Sequence, residues 1–257
     1  MNSLASQPRL DLGDGPRGNA PLSNMSLALQ TIMECEQAGP ESSTRIGLLY
    51  GFSGYGKTVS AGFVAARTGA AYIAARSVWS QRSLLEAIAE ELGITRPGRT
   101  APVLMGQIID QLNHEPRHLI IDETDHLVNK KSVEIIRDIH DSAPIAIMLI
   151  GEEALPSKLK EWERFDNRIL IATPAQPASI ADAYKLRDHY CTRVHVADDL
   201  AELFQHRCKG ITRRIVTNLR AAQRAAAEEG VGEINAGWWG SRPILNGDVP
   251  VRRKELV

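Results

Sequence analysis

Residues 46–58 read IGLLYGFSGYGKT, and this stretch decides the fold. Five residues of strand length, IGLLY, lead into a loop that fits the pattern G-x-x-x-x-G-K-[ST] at Gly51, Gly56, Lys57 and Thr58. A segment with the periodicity of an amphipathic helix follows at 57–67. A strand, a glycine-rich loop and a helix in this order predict a phosphate-binding loop rather than an ordinary glycine-rich turn.

Each position of the loop has a chemical reason. Glycines let the backbone wrap closely enough for its N–H groups to point at phosphate oxygens, and the helix N-terminus adds partial positive charge. We expect Lys57 to reach the β- and γ-phosphates and the Thr58 hydroxyl to bind Mg²⁺. The predicted nucleotide contacts are Gly51, Phe52, Ser53, Gly54, Tyr55, Gly56, Lys57, Thr58 and Val59.

A second motif lies in HLIIDETDHL, residues 118–127. Its apolar strand at 119–121 ends in Asp122 and Glu123, and two adjacent carboxylates at such a place are costly unless a cation compensates them. We expect Asp122 to hold the water shell of Mg²⁺ and Glu123 to polarise the water that attacks the γ-phosphate. No guanine-specifying motif is found, so ATP is the predicted nucleotide.

Apolar segments of strand length and amphipathic segments of helix length alternate along the chain up to Thr173 and Pro174. Near-continuous apolar strands that alternate with amphipathic helices predict an α/β fold with a five-stranded parallel sheet covered on both faces. After Pro174 only helices are predicted, which suggests a small helical lid. The predicted strands are 46–50, 71–75, 119–121, 145–150 and 169–172, and the predicted domains are a flexible arm (1–23), an ATPase core (24–174), the lid (175–240) and a flexible tail (241–257).

Composition limits the other function classes. Neither a run of 18 apolar residues nor a signal-peptide pattern is present in the 257 residues, so we expect a cytoplasmic protein without a membrane span. Three cysteines are too few for a disulfide framework. The net charge of −1 means that any contact with nucleic acid must come from a local basic patch.

Together, the loop, the Asp-Glu motif, the five strands and the helical lid resemble the AAA+ ATPases. More narrowly, IIDETDHL (residues 120–127) and the helix after it resemble the DNA-transposition helper ATPases of the MuB, TniB, TnsC and IstB type. The resemblance covers about residues 25–235. It implies ATP-dependent assembly into rings or helical filaments on duplex DNA, selection of target DNA and stimulation of a DDE-type transposase.

The resemblance also implies roles for single residues. The γ-phosphate sensor position of the family, often Asn, falls on Glu152, with Glu153 next to it. An arginine that reaches a neighbouring subunit's nucleotide matches Arg168, with Arg164 as the alternative. The second sensor, at the start of a lid helix, matches Arg213, and the adjacent Arg214 must point elsewhere because neighbouring helical residues are separated by about 100°.

Two basic segments are candidate DNA contacts. AARSVWSQRS, residues 74–83, places Arg76 and Arg82 on either side of Trp79, and VNKKSVEIIRD, residues 128–138, contributes Lys130 and Lys131. Basic loops that track a phosphate backbone give salt-sensitive, sequence-tolerant binding. Solvated surface charge is the alternative for both segments and for the basic tail at 252–254.

Other functions stay open at this point. A helicase loader or a secretion-type motor would share the ATPase core, and a nucleotide-gated switch would use it without DNA. A zinc site in the lid is disfavoured because no C-x₂-C pair occurs. The lid residues weighed for zinc are His189, Cys191, His195, His206 and Cys208.

Overall fold

The structure is a computed structural model that describes residues 18–130 and 132–247. Its centre is a sheet of five strands, all paired in parallel. The strands are β1 (Ile46–Tyr50), β2 (Ala71–Ala74), β3 (Leu119–Asp122), β4 (Ile147–Gly151) and β5 (Ile169–Pro174), and their order across the sheet is β2-β3-β4-β1-β5. Because all five strands run the same way, the loops that follow β1, β3 and β4 meet at one edge.

Helices connect the strands and form the C-terminal part of the chain. In the core they are α1 (Ser23–Gln37), α2 (Lys57–Thr68), α3 (Gln81–Glu91), α4 (Ala101–His114), α5 (Asp125–Val128), α6 (Val133–Ser142), α7 (Leu155–Lys160) and α8 (Glu163–Asp166). In the lid they are α9 (Ile180–Tyr190), α10 (Asp198–Arg207), α11 (Thr212–Glu229) and α12 (Ala236–Trp239).

The sheet is buried on both faces, as its apolar strands require. All residues of β3 and β4 are buried. On one face, Leu48, Ile121 and Leu149 pack with the apolar sides of α3, α4 and α6. On the other face, Leu49 and Ile120 pack with α1 and α2. The predicted α/β fold with a five-stranded parallel sheet is confirmed.

The ends of four of the five strands differ from the prediction by one or two residues. The fourth strand was predicted to begin at Ile145, but its pairing begins at Ile147, because the N–H of Ala146 bonds to the His118 ring instead of to the sheet. Between β4 and β5 the two short helices α7 and α8 are separate, because the backbone leaves the helical region at Trp162, where ψ is 71°.

The lid contains more than the predicted helices. Strands β6 (His195–Val196) and β7 (Glu233–Ile234) pair in parallel, so the prediction of a purely helical lid was wrong in this detail. Two residues are too short for a strand period to show in the sequence. The helices close over an apolar centre that includes Leu186, Phe204 and Leu219.

The segment before α1 packs against the lid. Ala20 and Leu22 are buried among lid residues, although both fall within the predicted arm. At the start of α1, Ser23 donates its backbone N–H and its hydroxyl to the carboxylate of Asp182. Asp182 lies in the first turn of α9 and forms the capping box of that helix with Ser179. Asn24 donates to the carbonyls of Tyr55 and Gln176, at 2.8 Å each. Core, phosphate-binding loop and lid therefore meet at these two residues.

The proposed domain boundaries at residues 23, 174 and 240 stay predictions. Residues 1–17 and 248–257, which hold most of the predicted arm and tail, lie outside the described residues. Among the residues that the structure describes, no helix is both long and apolar enough to cross a membrane.

Candidate functional site

A cavity of about 350 Å³ opens where the carboxyl ends of β1, β3 and β4 meet the lid. Nine of the predicted site residues line it: Ser53, Gly54, Gly56, Lys57, Thr58, Val59, Asp122, Glu123 and Arg213. Gly51, Phe52 and Tyr55 belong to the same loop but do not line the cavity. The two predicted motifs thus lie at one end of a single cavity, and the lid closes the other end.

The loop from Gly51 to Gly56 curves because its glycines take positive φ angles. Gly54 has a φ of 88°, and a side chain there would come within 2.7 Å of Ile211 in the lid. Its carbonyl also accepts the N–H of Arg213 at 3.1 Å. Gly54 occupies a variable position of the sequence pattern, so its contact with the lid could not be read from the motif.

Lys57 lies within the curve of this loop at the first position of α2. Its ammonium donates to the carbonyls of Gly51, at 2.6 Å, and Phe52, at 3.0 Å. Burial lowers the pKa of Lys57, while the carboxylates of Asp122, Glu123 and other acids at this end act in the opposite direction. A positive charge is therefore held beside the N-terminus of a helix, where anions are favoured.

Asp122 is fixed by two hydrogen bonds. The N–H of Glu123 donates to one carboxylate oxygen at 2.8 Å, and the hydroxyl of Tyr72 on β2 donates to the other at 3.1 Å. Asp122 itself is only 3% exposed. No motif marks Tyr72, because its register beside β3 appears only in the folded sheet.

Glu123 follows in an unusual backbone conformation. Its φ of 55° lies in the left-handed region, which residues other than glycine rarely adopt and which is found often at functional sites. Its side chain is exposed at the cavity. Burial raises the pKa of Glu123, and the neighbouring Asp122 raises it further.

The end of β4 brings a third acid to the cavity. Glu152 lines it next to Gly151, and its charge contributes to the pKa of Lys57. The N–H of Glu152 donates to Asp125 at 2.7 Å, and Asp125 also pairs with Lys158 at 2.7 Å. Glu153, the next residue, does not line the cavity.

The lid supplies a second cation. Arg213 lies in the first turn of α11 and lines the cavity, whereas Arg214 points away, towards the backbone of Gly247. Of the two arginines, Arg213 is thus the one at the cavity, and its contact with a nucleotide stays a prediction. Arg220, two turns further along α11, also lines the cavity and lies over the Tyr190 ring at 4.7 Å.

The apolar part of the cavity lining was missed from the sequence. It is formed by apolar side chains of the segment before α1, of α1 and of the lid, which no motif marks. These residues are Ala20, Leu22, Met25, Leu186 and Val216.

Arg168 lies away from this cavity. It precedes β5, and its guanidinium donates to both oxygens of Asp141 on α6, at 2.8 and 3.1 Å. Arg164, the alternative, is exposed and makes no side-chain hydrogen bond or ion pair with any residue that the structure describes.

The two predicted basic segments lie side by side. Lys130 donates to the Trp79 carbonyl at 3.0 Å, and the loop that it contacts carries an exposed Arg76 and a Val78 that is 83% exposed. Arg82 is partly engaged in an ion pair with Glu86. Lys131 lies outside the described residues.

Of the lid residues weighed for zinc, the two cysteines serve packing, whereas His195 and His206 are exposed. Cys191 and Cys208 are buried in the apolar centre of the lid, and burial raises the pKa of the Cys191 thiol to about 12. Within residues 18–130 and 132–247, no group of three or more metal-ligating His, Cys, Asp or Glu side chains occurs.

The chain was compared with known proteins. Residues 40–159 match the model of an AAA domain. No curated protein matches the chain. The ORC2 protein of Aeropyrum pernix, solved with ADPNP and ADP, superposes with a TM-score of 0.69 at 16% identity over 86% of this chain and 66% of that one.

Two further solved structures are similar. Cdc6p of Pyrobaculum aerophilum gives a TM-score of 0.63 at 13% identity, over 85% of this chain and 66% of that chain. The ORC1 protein of Aeropyrum pernix in complex with DNA gives 0.58 at 21% identity, over 82% and 61%. This chain thus spans slightly less than two thirds of the length of these proteins, with which it shares the fold. Residues 40–159 carry an AAA domain, and the chain has the AAA+ fold: a five-stranded parallel α/β core followed by a largely helical C-terminal part.

Proposed function

We propose that this chain binds ATP with Mg²⁺ and hydrolyses it. One observation carries the proposal: Lys57 and Thr58 at the start of α2 share a cavity with Asp122 and Glu123 at the end of β3. A cation at a helix N-terminus suits a polyphosphate, and two acids opposite it suit a metal and an activated water.

The donors at this end of the cavity fit Mg²⁺. A hydroxyl, from Thr58, and a carboxylate, from Asp122, are oxygen ligands of the kind that this ion prefers. Asp122 is held in one orientation by Tyr72 and by the backbone, which suits a ligand of fixed geometry. When bound, Mg²⁺ would neutralise charge on the phosphates.

The chain's own residues divide the remaining work. Lys57 binds the phosphates, and Arg213 approaches them from the lid. Glu123, whose raised pKa keeps it a better base than an ordinary carboxylate, takes the proton of the attacking water. The apolar end, with Leu22 and Val216 among its lining residues, offers a slot for the base.

We further propose that the active form is a homo-oligomer assembled with ATP on duplex DNA. Among the residues that the structure describes, the arginines that line the cavity are Arg213 and Arg220 of the lid, and a guanidinium from the segment 164–168 of a neighbour would complete the site. The adjoining loops with Arg76, Val78 and Lys130 form one basic surface with an apolar tip, suited to a phosphate backbone.

The finer proposal is that the assembly selects target DNA and stimulates a DDE-type transposase. It rests on the resemblance of IIDETDHL, residues 120–127, to the transposition helper ATPases. A replicative-helicase loader is the second candidate, because it would use the same ATPase core; the fold alone, shared with the ORC and Cdc6 proteins, does not separate the two roles.

One experiment separates these functions. The purified chain is mixed with random-sequence duplex, with forked DNA and with single-stranded DNA, each with and without a non-hydrolysable ATP analogue and Mg²⁺. Nucleotide-dependent coating of plain duplex supports the transposition role, and binding restricted to forked or single-stranded DNA supports the loader. Failure to bind ATP in calorimetry would overturn the whole proposal.

A further inference from the structure

Asp125 is a buried acid beside the cavity that the proposed hydrolysis does not use. It is 6% exposed, and both of its carboxylate oxygens are engaged. One accepts the N–H of Glu152 and the other pairs with the Lys158 ammonium, each at 2.7 Å. A buried carboxylate with this double compensation is stable in one orientation.

The carboxylate also packs tightly against the end of β4. A Cβ added to Gly151 would overlap Asp125 Oδ2 and would lie 2.8 Å from Leu155. The last paired residues of β3 and β4 are Ile121 and Leu149. Beyond them, the hydrogen bond from the Glu152 N–H to the Asp125 side chain holds the ends of the two strands together. Glycine at 151 is what permits this approach.

This contact fixes the peptide that precedes the side chain of Glu152. Glu152 lines the phosphate end of the cavity together with Asp122 and Glu123. A third carboxylate there repels phosphate, and the repulsion depends steeply on distance in a partly desolvated site. The orientation of the Glu152 peptide therefore decides whether its carboxylate faces a water molecule or crowds the phosphates.

We propose that Asp125, supported by Lys158, is a positioning residue that sets the place of the Glu152 carboxylate for hydrolysis. The proposal rests on the proposed ATPase function and deepens it. Lys158 lies on α7, so the pair joins the end of β3, the end of β4 and the helix that follows. A displacement of about 1 Å in such a site costs on the order of 100-fold in rate.

The test is a double-mutant cycle on the full chain. Asp125→Ala and Glu152→Ala are made singly and together, and kcat and KM for ATP are measured with Mg²⁺. We expect Asp125→Ala to lower kcat by about 10- to 100-fold with KM changed by less than about threefold. In the Glu152→Ala background the same change should have almost no further effect, since coupled residues are non-additive.

Conservative variants keep the test informative if Asp125→Ala folds poorly. Asp125→Asn retains the shape of the side chain and an oxygen for the Glu152 N–H, so it should keep kcat within about threefold of the original chain. Lys158→Met removes only the cation, and Lys160→Met, at an exposed position on the same helix, is its control.

The ratio of ATP to ADP affinity, measured by displacement of a fluorescent nucleotide, gives a readout other than turnover. This ratio should change in Asp125→Ala and Glu152→Ala but not in Lys160→Met.

The outcomes are separable. If the unaltered chain hydrolyses ATP while a folded Asp125→Ala variant keeps its kcat, or if the two substitutions are additive, the positioning role is wrong and the ATPase function stands. If the unaltered chain neither binds nor hydrolyses ATP, the proposed function fails, and this inference fails with it.

Discussion

The guanidinium of Arg168 is held by Asp141 of the same chain through two hydrogen bonds, at 2.8 and 3.1 Å. The Arg168 hydrogen bond in turn contributes most to keeping the pKa of Asp141 below its ordinary value. A two-point pair of this kind is geometrically specific. Arg168 can serve a neighbouring subunit only after Asp141 releases it, whereas the exposed Arg164 is available without any rearrangement.

This difference predicts separate effects for the two arginines. Arg164→Ala should bind ATP normally and lose at least about tenfold of its assembly-stimulated hydrolysis, in the range found for a lost transition-state arginine. Arg168→Ala should retain that stimulation and lose only the stability of its pair. ATPase rates measured against protein concentration check this. If Arg168→Ala loses the stimulation instead, and Asp141→Asn increases it, Arg168 is the residue that acts in trans.

Glu123→Gln should abolish turnover while leaving nucleotide binding intact. The substitution keeps the shape of the side chain but removes the base, and the expected loss in kcat is about 100- to 10,000-fold. Single-turnover hydrolysis and nucleotide affinity are measured together, and ATP-dependent assemblies should become long-lived. Glu153→Gln is the matched control because Glu153 is exposed and does not line the cavity. Normal turnover in Glu123→Gln would remove the base assignment.

The basic surface predicts a change in the salt dependence of DNA binding. Arg76→Ala and Lys130→Ala should each lower the slope of log K against log salt by about 1, irrespective of DNA sequence, because each removes one phosphate contact. Arg224→Ala, an exposed arginine on the lid helix α11, is the control. An unchanged slope in both variants would mean that these side chains are merely solvated.

Asp182 predicts a pH-dependent contribution to stability. It is 2% exposed, and burial alone would raise its pKa, but hydrogen bonds from Ser179 and Ser23 outweigh burial and lower the pKa below 3.8. A lowered folded-state pKa means that the stabilisation is present above the unfolded pKa and is lost as the pH falls through the folded pKa. Asp182→Asn should therefore lower the free energy of unfolding by about 2 kcal/mol at pH 7.

That difference should begin to shrink below about pH 4, where Asp182 takes up a proton in the unfolded chain, and it should be lost as the pH falls through the lower pKa of the folded chain. Denaturant unfolding at a series of pH values measures it. The control is Asp188→Asn, since Asp188 is largely exposed and its ion pair, among the described residues, is with its neighbour Arg187. A pH-independent difference would show that shape, rather than charge, makes Asp182 important.

The strands and the phosphate end of the site could be predicted because their signals are local. IGLLY, LII and the apolar run before Gly151 each form a continuous buried stretch, and the loop pattern at 51–58 fixes the spacing of its own groups. Asp122, Glu123 and Lys57 could be placed together because parallel strands end at one edge.

The remaining features depend on contacts between distant parts of the chain. Tyr72 reaches Asp122 only through the register of β2 beside β3, and Ala20 is buried only because the lid folds back over it. No periodicity marks such pairs. The pairing of Arg168 with Asp141 is of the same kind, and a sequence pattern that marks an arginine does not reveal what holds it.

Asn24 has a mechanical consequence. Its amide donates one hydrogen bond to the Tyr55 carbonyl in the phosphate-binding loop and one to the Gln176 carbonyl in the connection to the lid, both at 2.8 Å. The side-chain nitrogen of Asn24 thus connects the phosphate-binding loop directly to the segment that leads into the lid. We expect a ligand that moves this loop to move the start of the lid as well, and because such coupling is reciprocal, a partner that moves the lid should change the affinity of the loop for that ligand.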